Sequence, residues 1–442
     1  MKHLSRREFI HGSSKAIAGG AVGLTVLRSR SSAYAANDQV GVGVMGIHGR
    51  GQSHIDAYCA YDGAKVVALC DPDSRLFEGR SKRVADRQGG EAPKCYQDVR
   101  AMLQDPNVDA ISIATCNHWH ALATIWGCQA GKDVYVEKPA SWSVWEGRKM
   151  IEAAEKYDRI VQVGCQSRSS GHVRDAIARV HAGQLGEIYM AKACCYKPRG
   201  SIGFKEATPP PDGVDFDLWL GPAELQPHHG NLVHYNWHWF WDFGNGDLGN
   251  QGVHQMDIAL WGLQRGLPTK IYSTGGRFAY EDQGETPNTH LCTFEYDDGV
   301  QLVFEVRGHY VNDEAGVRIG NLFYGSDGYM SSGQGYKAKT GYKGEDMEDK
   351  DLGELPEVGG TGEGNHFQNF IDCVRSRNKD EQNAPVEAGH LSSALCHLAN
   401  ISYRVGRSLT FDPATERFVG DKEANKLLTR KYRAPYVIPD SV

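Results

Sequence analysis

Beyond its first thirty residues, the sequence lacks any apolar run long enough to span a lipid bilayer. It also lacks an excess of positive charge, because 48 lysines and arginines stand against 55 aspartates and glutamates, for a formal net charge of −7. This balance argues against a nucleic-acid partner, which would require a basic surface. The composition is typical of a soluble globular protein, and 442 residues suffice for two domains with substantial cores.

The eleven cysteines point neither to a disulfide framework nor to a metal centre. Their number is odd, and their spacing matches no common metal-ligand pattern. Several occupy apolar, strand-like runs, namely Cys70, Cys116, Cys165, Cys194, Cys195 and Cys292. We therefore predict buried free thiols and no bound metal.

Residues 1–35 resemble an export signal rather than a part of the fold. A twin-arginine pattern surrounds Arg6 and Arg7, a small-residue apolar stretch covers residues 16–27, and Ala33-Tyr34-Ala35 fits a cleavage site. The twin-arginine route carries folded proteins, so we expect a periplasmic protein with no stable membrane insertion after cleavage. A short uncleaved anchor or a chance arginine pair is the alternative.

Residues 36–166 alternate between apolar runs and segments with helical periodicity. The runs at 40–45, 66–70, 110–115, 133–136 and 160–164 are predicted as strands, and 145–157 as a helix. Strands that alternate with helices indicate a doubly wound parallel sheet, as in a Rossmann domain. In such sheets ligands bind beyond the carboxyl ends of the strands. Polar residues follow several of these strands, namely Asp71, Asn117, Glu137, Lys138 and Gln166.

The first predicted strand runs into a glycine turn of six residues, Gly46-Ile47-His48-Gly49-Arg50-Gly51. Such a turn lets the backbone approach a pyrophosphate at a helix N-terminus. In the G-x-G-x-x-G pattern Gly46 and Gly51 hold the outer positions, but His48 replaces the middle glycine, so the motif alone is weak. We expect His48 to lie against the pyrophosphate, with Gly49 and Arg50 supplying backbone donors.

Asp71 follows the second strand, about twenty residues after Gly51. At this position a carboxylate can accept both ribose hydroxyls of an adenosine and would repel a 2′-phosphate. NAD is therefore favoured over NADP, although Arg75 could soften that preference. The alternative is that Asp71-Pro72-Asp73 caps a helix.

The tripeptide Glu137-Lys138-Pro139, together with the glycine turn and Asp71, resembles the Gfo/Idh/MocA family of oxidoreductases, which includes glucose–fructose oxidoreductase and inositol dehydrogenase. The resemblance implies that Lys138 contacts the substrate hydroxyl and the nicotinamide ribose and assists proton transfer. It also implies a proline that is often cis. A lysine close to a cationic nicotinamide and away from water should have a lowered pKa.

The resemblance also places residues 117–120 beside the nicotinamide ribose and the pyrophosphate. For Asn117 and His120 it favours contact with the cofactor. For His118 a purely structural role is equally compatible with the sequence.

Residues 167–442 are predicted to form an α+β domain for substrate binding and oligomerisation. Extended runs at 189–196, 271–278, 289–296, 300–306 and 318–324 indicate a largely antiparallel sheet, whose open face we expect to form a wall over the cofactor. A long loop at 197–238 is of the kind that is functional or lid-like, and a polar loop at 331–364 could be mobile. Helical patterns at 365–377 and 386–405 could pack back on the first domain.

Asn250, His254 and Asp257 have one-turn spacing in a predicted helix. Related dehydrogenases carry D-x-G-x-H-x-x-D here, and their histidine takes the hydroxyl proton. In this sequence Asn250 replaces the first aspartate. A neutral amide can orient His254 but cannot favour its charged form, so we expect Asp257 or Asp247 to compensate. The alternative is that His254 is a satisfied helix histidine.

Two further groups are candidates for substrate contact. The aromatic run that contains Trp237, His238 and Trp241 could stack on a sugar or belong to the core. Alternation along the strand that ends near Arg307 and Tyr310 suggests a polar substrate wall, with an exposed ion pair as the alternative.

We therefore predict an NAD-dependent oxidoreductase that acts on a secondary hydroxyl of a sugar or glycoside, with tightly bound NAD. One alternative is an NAD-dependent glycosidase that oxidises C3 transiently, and another is a non-catalytic sugar-binding protein that retains NAD. Family analogy and an open sheet face suggest a homodimer or homotetramer.

Overall fold

The computed structural model describes residues 39–348 and 350–442. The predicted export signal therefore lies outside the described residues. The helices are α1 (Arg50–Cys59), α2 (Phe77–Arg87), α3 (Val99–Leu103), α4 (Asn117–Gln129), α5 (Val144–Lys156), α6 (Gly171–His181), α7 (Phe216–Leu220), α8 (Val253–Leu263), α9 (His366–Ser376), α10 (Val386–Val405) and α11 (Lys422–Lys426).

The strands of the first sheet are β1 (Val40–Met45), β2 (Ala64–Cys70), β3 (Lys94–Tyr96), β4 (Ala110–Ile113), β5 (Asp133–Val136) and β6 (Val161–Val163). Those of the second are β7 (Ile188–Cys195), β8 (Lys270–Gly276), β9 (Thr289–Glu295), β10 (Gln301–Arg307), β11 (Ile319–Gly325), β12 (Tyr329–Ser331), β13 (Lys337–Thr340), β14 (Glu345–Asp346), β15 (Leu409–Asp412) and β16 (Arg417–Phe418).

The first sheet is wholly parallel, in the order β3-β2-β1-β4-β5-β6, which confirms the predicted doubly wound Rossmann domain. Strands β1, β4, β5 and β6 are buried along their whole length. Helices cover both faces of such a sheet, so its central strands need continuous apolar runs. The carboxyl ends of β1, β2, β4 and β5 meet at one edge, and the polar residues that follow them are gathered there.

The second sheet has ten strands, in the order β14-β13-β12-β11-β7-β10-β9-β8-β15-β16. The pair β7 and β10 is parallel, and the other named pairs are antiparallel, as predicted for a largely antiparallel sheet. Strands β13 and β14 lie in the region 331–364, which the sequence had presented as a loop. The structure corrects that expectation, since this region extends the edge of the sheet.

One face of the second sheet is covered by helices and the other is open. Ala191, Ala193 and Cys195 of β7 point into the same apolar core as Met256 of α8 and Leu395 of α10. Helix α10 contacts β8 and α8 on one side and α5 and β6 of the first domain on the other. The open face therefore points away from the first domain. The expectation that it forms a wall over the cofactor is wrong, because α8 and α10 lie in between.

Several segments from the second half of the chain pack on the first domain. We call residues 196–247, between β7 and the helical turn before α8, the strap. Its helix α7 docks on α4 of the first domain, where Trp119 donates from Nε1 to the carbonyl oxygen of Leu218 at 3.1 Å. Helix α9 packs against β1 and α1, and Tyr436 and Ile438 near the C-terminus are buried in the core of the first domain.

Within residues 39–348 and 350–442, no helix combines the length and the apolar character that a membrane crossing requires. All eleven cysteines are free thiols, and Cys116 is half-buried at the end of β4.

Candidate active site

A deep cleft runs along the carboxyl edge of the parallel sheet. Its floor is built by the glycine turn after β1, by Asp71 after β2, by Asn117 after β4 and by Glu137 and Lys138 after β5. The strap and the helical turn that contains Asn250 form the opposite wall. The strand-end residues predicted from the sequence therefore do share one site.

The glycine turn is shaped for close approach by a ligand. Gly46 has a φ of +81°, and a Cβ at this position would lie 2.7 Å from the carbonyl oxygen of Ala114. A Cβ on Gly51 would lie 1.7 Å from the carbonyl oxygen of Gly46, so the start of α1 touches the turn directly. Gly49 faces open space. This cradle, with backbone N–H groups at the start of a helix, suits a pyrophosphate.

Hydrogen bonds with neighbouring residues also fix the backbone of the glycine turn. Arg80 of α2 donates to the carbonyl oxygens of Ile47 and His48 at 2.8 and 2.9 Å. The buried Ile47 donates its backbone N–H to Asp71 at 2.8 Å. The backbone of the turn is therefore fixed before any ligand binds, which reduces the entropy that binding must overcome.

Asp71 is buried at the edge of the cleft, where its carboxylate accepts N–H groups from Ile47 (2.8 Å) and Asp73 (2.9 Å). Burial raises the pKa of Asp71 to about 6, although these two hydrogen bonds oppose the shift. Each carboxylate oxygen keeps a second lone pair for a ribose hydroxyl. The position fits the predicted role of holding the adenosine ribose.

We expect nucleotide affinity to fall as the pH drops through about 6, because the ionised form of Asp71 is the better acceptor for hydroxyl groups. The substitution Asp71→Asn should weaken NAD binding about tenfold at pH 8, in line with the ~1.5–3 kcal/mol of a hydrogen bond to a charged group. It should also remove this pH dependence. Calorimetric titration with NAD between pH 5 and 8 measures both effects, and an unchanged profile in the variant would exclude Asp71 as the ionising group.

Glu137 is the centre of a buried hydrogen-bond network. Its Oε1 accepts from Nε of Arg50 (2.8 Å), from Nε2 of His54 (3.0 Å) and from the amide of Gln166 (3.0 Å). Burial alone would raise the pKa of Glu137, but His54, Arg50 and Lys138 together hold it well below its usual range. Glu137 is therefore ionised, and Gln166 acts through it rather than from the cleft wall.

His54 is a site residue that the sequence analysis missed. Burial lowers its pKa, so the ring is neutral, donates to Glu137 and accepts from Ser112 Oγ at 2.8 Å. It lies one helical turn after Gly51, on the buried side of α1. A histidine on the sheet-facing side of the helix that follows a glycine turn is the signal that could have revealed it.

Lys138 reaches across the cleft, and the Lys138–Pro139 peptide bond is cis. Its Nζ donates to the backbone carbonyl oxygen of Asn250 at 2.6 Å. Burial lowers the pKa of Lys138, and the neighbouring Glu137 limits that shift. The amine is thus held at one place on the cleft surface, with its neutral form accessible nearer to neutral pH than for an exposed lysine.

The environment of His254 differs from the sequence expectation. Residues Leu248–Gly252 form a π-helical turn before α8, and Nδ1 of His254 is buried without a hydrogen-bond partner. Burial and the nearby Lys138 lower the pKa of His254 to about 3. Asn250 lines the cleft, but the side-chain bond to His254 that would orient the ring is not formed at Nδ1.

The two carboxylates expected to compensate for Asn250 are engaged elsewhere. Asp257 is bound by Arg168, whose Nε and Nη2 donate at 2.8 and 2.9 Å. Asp247 is bound by Arg199 at 2.5 and 3.0 Å. The expectation that Asp257 or Asp247 compensates for Asn250 is therefore wrong. Each carboxylate is already paired with a guanidinium group, that of Arg168 or that of Arg199.

The two histidines of α4, His118 and His120, form hydrogen bonds with backbone carbonyl groups of the protein. His120 lines the cleft, but its two ring nitrogens face the carbonyl oxygens of Pro139 (2.7 Å) and Thr115 (3.1 Å), so it braces the turn that carries Lys138. His118 is buried against Trp219, and burial lowers its pKa to about 3. Asn117 and Trp119 of the same segment also line the cleft.

Of the predicted substrate residues, Trp237 lines the cleft. His238 is buried inside the strap, bound to the carbonyl oxygen of Tyr235 at 2.7 Å, and burial lowers its pKa to about 4. Trp241 packs under the guanidinium of Arg404.

Arg307 and Tyr310 are outside the cleft. Arg307 pairs with Glu305 at 2.5 Å on the open face of the second sheet, and Tyr310 is almost wholly exposed. Glu305 and Arg307 do share one polar face of the strand, but that face is turned away from the cleft. The structure supports the alternative of an ion pair, but the pair is half-buried rather than exposed.

His48 takes a position that the sequence did not predict. Its ring is neither in the core nor at the floor of the turn but stacks on His234 of the strap, with ring centroids 4.3 Å apart. His234 and Tyr235 both line the cleft and were missed. The signal for them is the aromatic and histidine-rich sequence that immediately precedes Trp237 in the strap.

Similarity to known proteins agrees with this geometry. The profile described as "Oxidoreductase family, NAD-binding Rossmann fold" (GFO_IDH_MocA) matches residues 40–165. The profile described as "Oxidoreductase family, C-terminal alpha/beta domain" (GFO_IDH_MocA_C2) matches residues 199–438, more than half of the chain.

Several curated proteins are similar over shorter stretches. A scyllo-inositol 2-dehydrogenase (NAD(+)) of Bacillus subtilis (strain 168) is 33% identical over 65% of this chain and 74% of its own length. A D-glucoside 3-dehydrogenase of Escherichia coli (strain K12) is 28% identical over 48% of this chain and 50% of its own length. A glycosyl hydrolase family 109 protein of Shewanella pealeana is 29% identical over 35% of each chain.

Among solved structures, the WlbA dehydrogenase from Bordetella pertussis in complex with NADH and UDP-GlcNAcA superposes with a TM-score of 0.63. The match covers 85% of this chain and 99% of that one at 19% identity, and it concerns the fold alone. The cradle, the acidic residue after β2 and the lysine after β5 fit an NAD site, and the profiles span both domains. This chain belongs to the Gfo/Idh/MocA family of NAD-binding oxidoreductases.

Proposed function

We propose that this protein oxidises a secondary hydroxyl of a sugar or glycoside, with Lys138 as the proton-transfer residue. The observation that carries the proposal is the placement of Lys138. Its amine crosses the cleft to the carbonyl oxygen of Asn250 at 2.6 Å, beside the ionised Glu137 and at the end of the cleft opposite Asp71. The adenosine and nicotinamide ends of a dinucleotide would thus be separated along the cleft.

Bound NAD supplies a hydride acceptor at C4 of its nicotinamide. The neutral amine of Lys138 accepts the hydroxyl proton of the substrate while the carbon–hydrogen bond breaks, so that the alcohol becomes a ketone. Burial lowers the pKa of His254 to about 3, so its imidazole is a weak base, and we assign the proton transfer to Lys138. Asn250 and Trp237 line the same wall and are the groups that would orient a sugar ring.

The substrate class is supported by two relatives whose names describe dehydrogenation of scyllo-inositol and of a D-glucoside. A cyclic polyol carries several secondary hydroxyls and apolar C–H faces. The cleft offers a matching combination of a lysine, an amide and aromatic side chains, including the half-buried Trp237.

A second function is favoured by the similarity to glycosyl hydrolase family 109 proteins. Oxidation at C3 acidifies the adjacent C–H, so that a base can remove this proton and the glycosidic group can leave. Water then adds, and the ketone is reduced again by return of the hydride. The cycle is redox-neutral, and it would suit a protein that is exported with its cofactor, as the twin-arginine pattern predicts for a periplasm.

One experiment distinguishes the two functions. The mature protein is purified, its bound nucleotide is identified by mass spectrometry, and it is incubated with aryl glycosides and free sugars, with and without added NAD. Accumulation of NADH is the expected result for the dehydrogenase. Release of the aglycone without net NADH would instead establish the glycosidase, and a protein that neither contains nor binds NAD would contradict both.

The prediction of a homodimer or homotetramer is part of the same proposal. The open face of the second sheet exposes several large apolar side chains, namely Tyr189, Tyr272 and Leu291. Burial of such side chains is the usual driving force for association of sheet faces. Light scattering of the mature protein measures the oligomeric state.

A further inference from the structure

Two histidines from different domains meet across the mouth of the cleft. His48 belongs to the glycine turn of the first domain and His234 to the strap of the second. Their rings are stacked, with centroids 4.3 Å apart and planes 2° from parallel, and both residues line the cleft. The ring pair therefore joins the wall of the cleft to its floor.

The ring of His234 is anchored as well as stacked. Its Nε2 lies 2.9 Å from Oδ2 of Asp73, a buried carboxylate that Arg75 also binds through Nε (2.7 Å) and Nη2 (2.6 Å). Burial would raise the pKa of Asp73, but the hydrogen bonds from Arg75 and His234 hold it below its usual value. The carboxylate is ionised, so the contact with His234 is a charge-assisted hydrogen bond.

The backbone of the strap is docked beside this contact. Ser74 donates its N–H to the carbonyl oxygen of Gly213, and Asp215 donates to that of Pro72, both at 2.9 Å. The strap is thus fixed on the turn that follows Asp71. Release of the ring pair requires movement near His234 and not separation of the two domains.

We propose that His48 and His234 form a clasp that retains NAD in the cleft between turnovers, with His234 as a cofactor-retaining residue contributed by the second domain. The clasp joins the glycine turn to the Asp71–Asp73 turn, the two elements built to hold the phosphates and the adenosine ribose. A nucleotide leaves this half of the cleft only after the rings part and the bond to Asp73 breaks. The inference rests on the NAD binding of the proposed function, and it adds which residues set the rate of cofactor release.

The test measures release of NADH from the full mature protein. The protein is loaded with NADH and mixed in a stopped-flow instrument with a large excess of NAD, and the loss of NADH fluorescence gives the dissociation rate. We expect His234→Ala to release NADH at least ~10 times faster than the wild type, which corresponds to ~1.4 kcal/mol. His234→Phe, which keeps a ring for stacking but lacks the N–H donor, should give an intermediate rate.

Two further variants make the result specific. His48→Ala should add little in the His234→Ala background, because the stack is already lost, whereas independent effects would multiply. His172→Ala is the matched control, since His172 is exposed, bonded to Ser170 and in contact with the ring of Tyr336, but outside the cleft. Its release rate should equal that of the wild type.

The outcomes separate the clasp from the proposed function. If folded His234→Ala releases NADH within twofold of the wild-type rate, the clasp is wrong while NAD binding and turnover stand. If the wild type itself binds no NADH, both the clasp and the oxidoreductase proposal fail. Circular dichroism and the thermal transition of each variant establish that it is folded before the rates are compared.

Discussion

Lys138→Met should abolish turnover, by about 10³-fold or more, and leave nucleotide binding within about threefold of the wild type. Methionine preserves the length and the apolar stem of lysine but removes the only group in the cleft that we assign to proton transfer. General acid–base catalysis by one positioned group contributes about 10²–10⁴-fold to the rate. The variant also loses the hydrogen bond to the Asn250 carbonyl, so the helical turn that forms this wall of the cleft is held less firmly.

The pH dependence provides a second readout for Lys138. Its amine is active as a base when neutral, and burial lowers its pKa, so the wild-type rate should rise with pH through that lowered pKa. The residual activity of Lys138→Met should lack this rise. Steady-state rates between pH 5 and 10, together with NAD titrations of each protein, measure the two effects separately.

Lys132→Met is the matched control. Lys132 is also buried, its Nζ also donates to a backbone carbonyl, that of Val108 at 2.6 Å, and burial also lowers its pKa. It lies at the start of β5, at the opposite edge of the sheet from the cleft. The control should lose stability but keep its turnover per folded molecule. Normal turnover by Lys138→Met would remove this residue from the mechanism.

The parallel sheet was predictable because its central strands are continuous apolar runs. Strands β1, β4 and β5 are buried on both faces, so their sequences carry a strong signal. Strand β3 and the hairpin of β13 and β14 are short, polar and at sheet edges, where burial imposes no pattern. Such strands are defined by hydrogen bonds to a neighbour, which the local sequence does not encode.

The site was predictable where chain topology alone determines position. Asp71, Asn117, Glu137 and Lys138 follow parallel strands, and the ends of such strands must converge. The prediction that Arg307 contacts the substrate was wrong, because alternation shows which residues share a sheet face but not which face the helices cover. The expected bond from Asn250 to Nδ1 of His254 is not formed, because the π-helical turn before α8 departs from the regular helix that the sequence spacing assumed.

The clasp was not accessible to sequence reasoning for a different reason. His48 and His234 are separated by 186 positions, and their contact depends on how the strap crosses from the second domain to the first. The sequence marked His48 as a departure from a glycine motif and as a neighbour of the pyrophosphate, but gave no sign of a partner in the second domain. A departure of this kind has a structural cause here, since a glycine at position 48 would leave His234 without its stacking partner.

Gly51→Ala should reduce NAD affinity about 100-fold or more and destabilise the first domain. A Cβ at this position would lie 1.7 Å from the carbonyl oxygen of Gly46. No side-chain rotation can relieve this clash, because the backbone fixes the positions of both atoms. The turn must move, and overpacking of this kind costs about 1–3 kcal/mol or more. If the binding-competent conformation of the turn becomes less favourable by ~2.7 kcal/mol, the affinity for NAD falls about 100-fold.

Gly79→Ala provides the control for this substitution. Gly79 lies inside α2 of the same domain, and a Cβ there meets nothing within 4 Å. Since alanine favours a helix over glycine by ~1 kcal/mol, this variant should be more stable than the wild type and bind NAD equally well. Urea denaturation and calorimetric titration of both variants give the comparison. If Gly51→Ala also bound NAD with wild-type affinity, the pyrophosphate would not be held by the turn of residues 46–51, and the anion site would have to be sought elsewhere along the cleft.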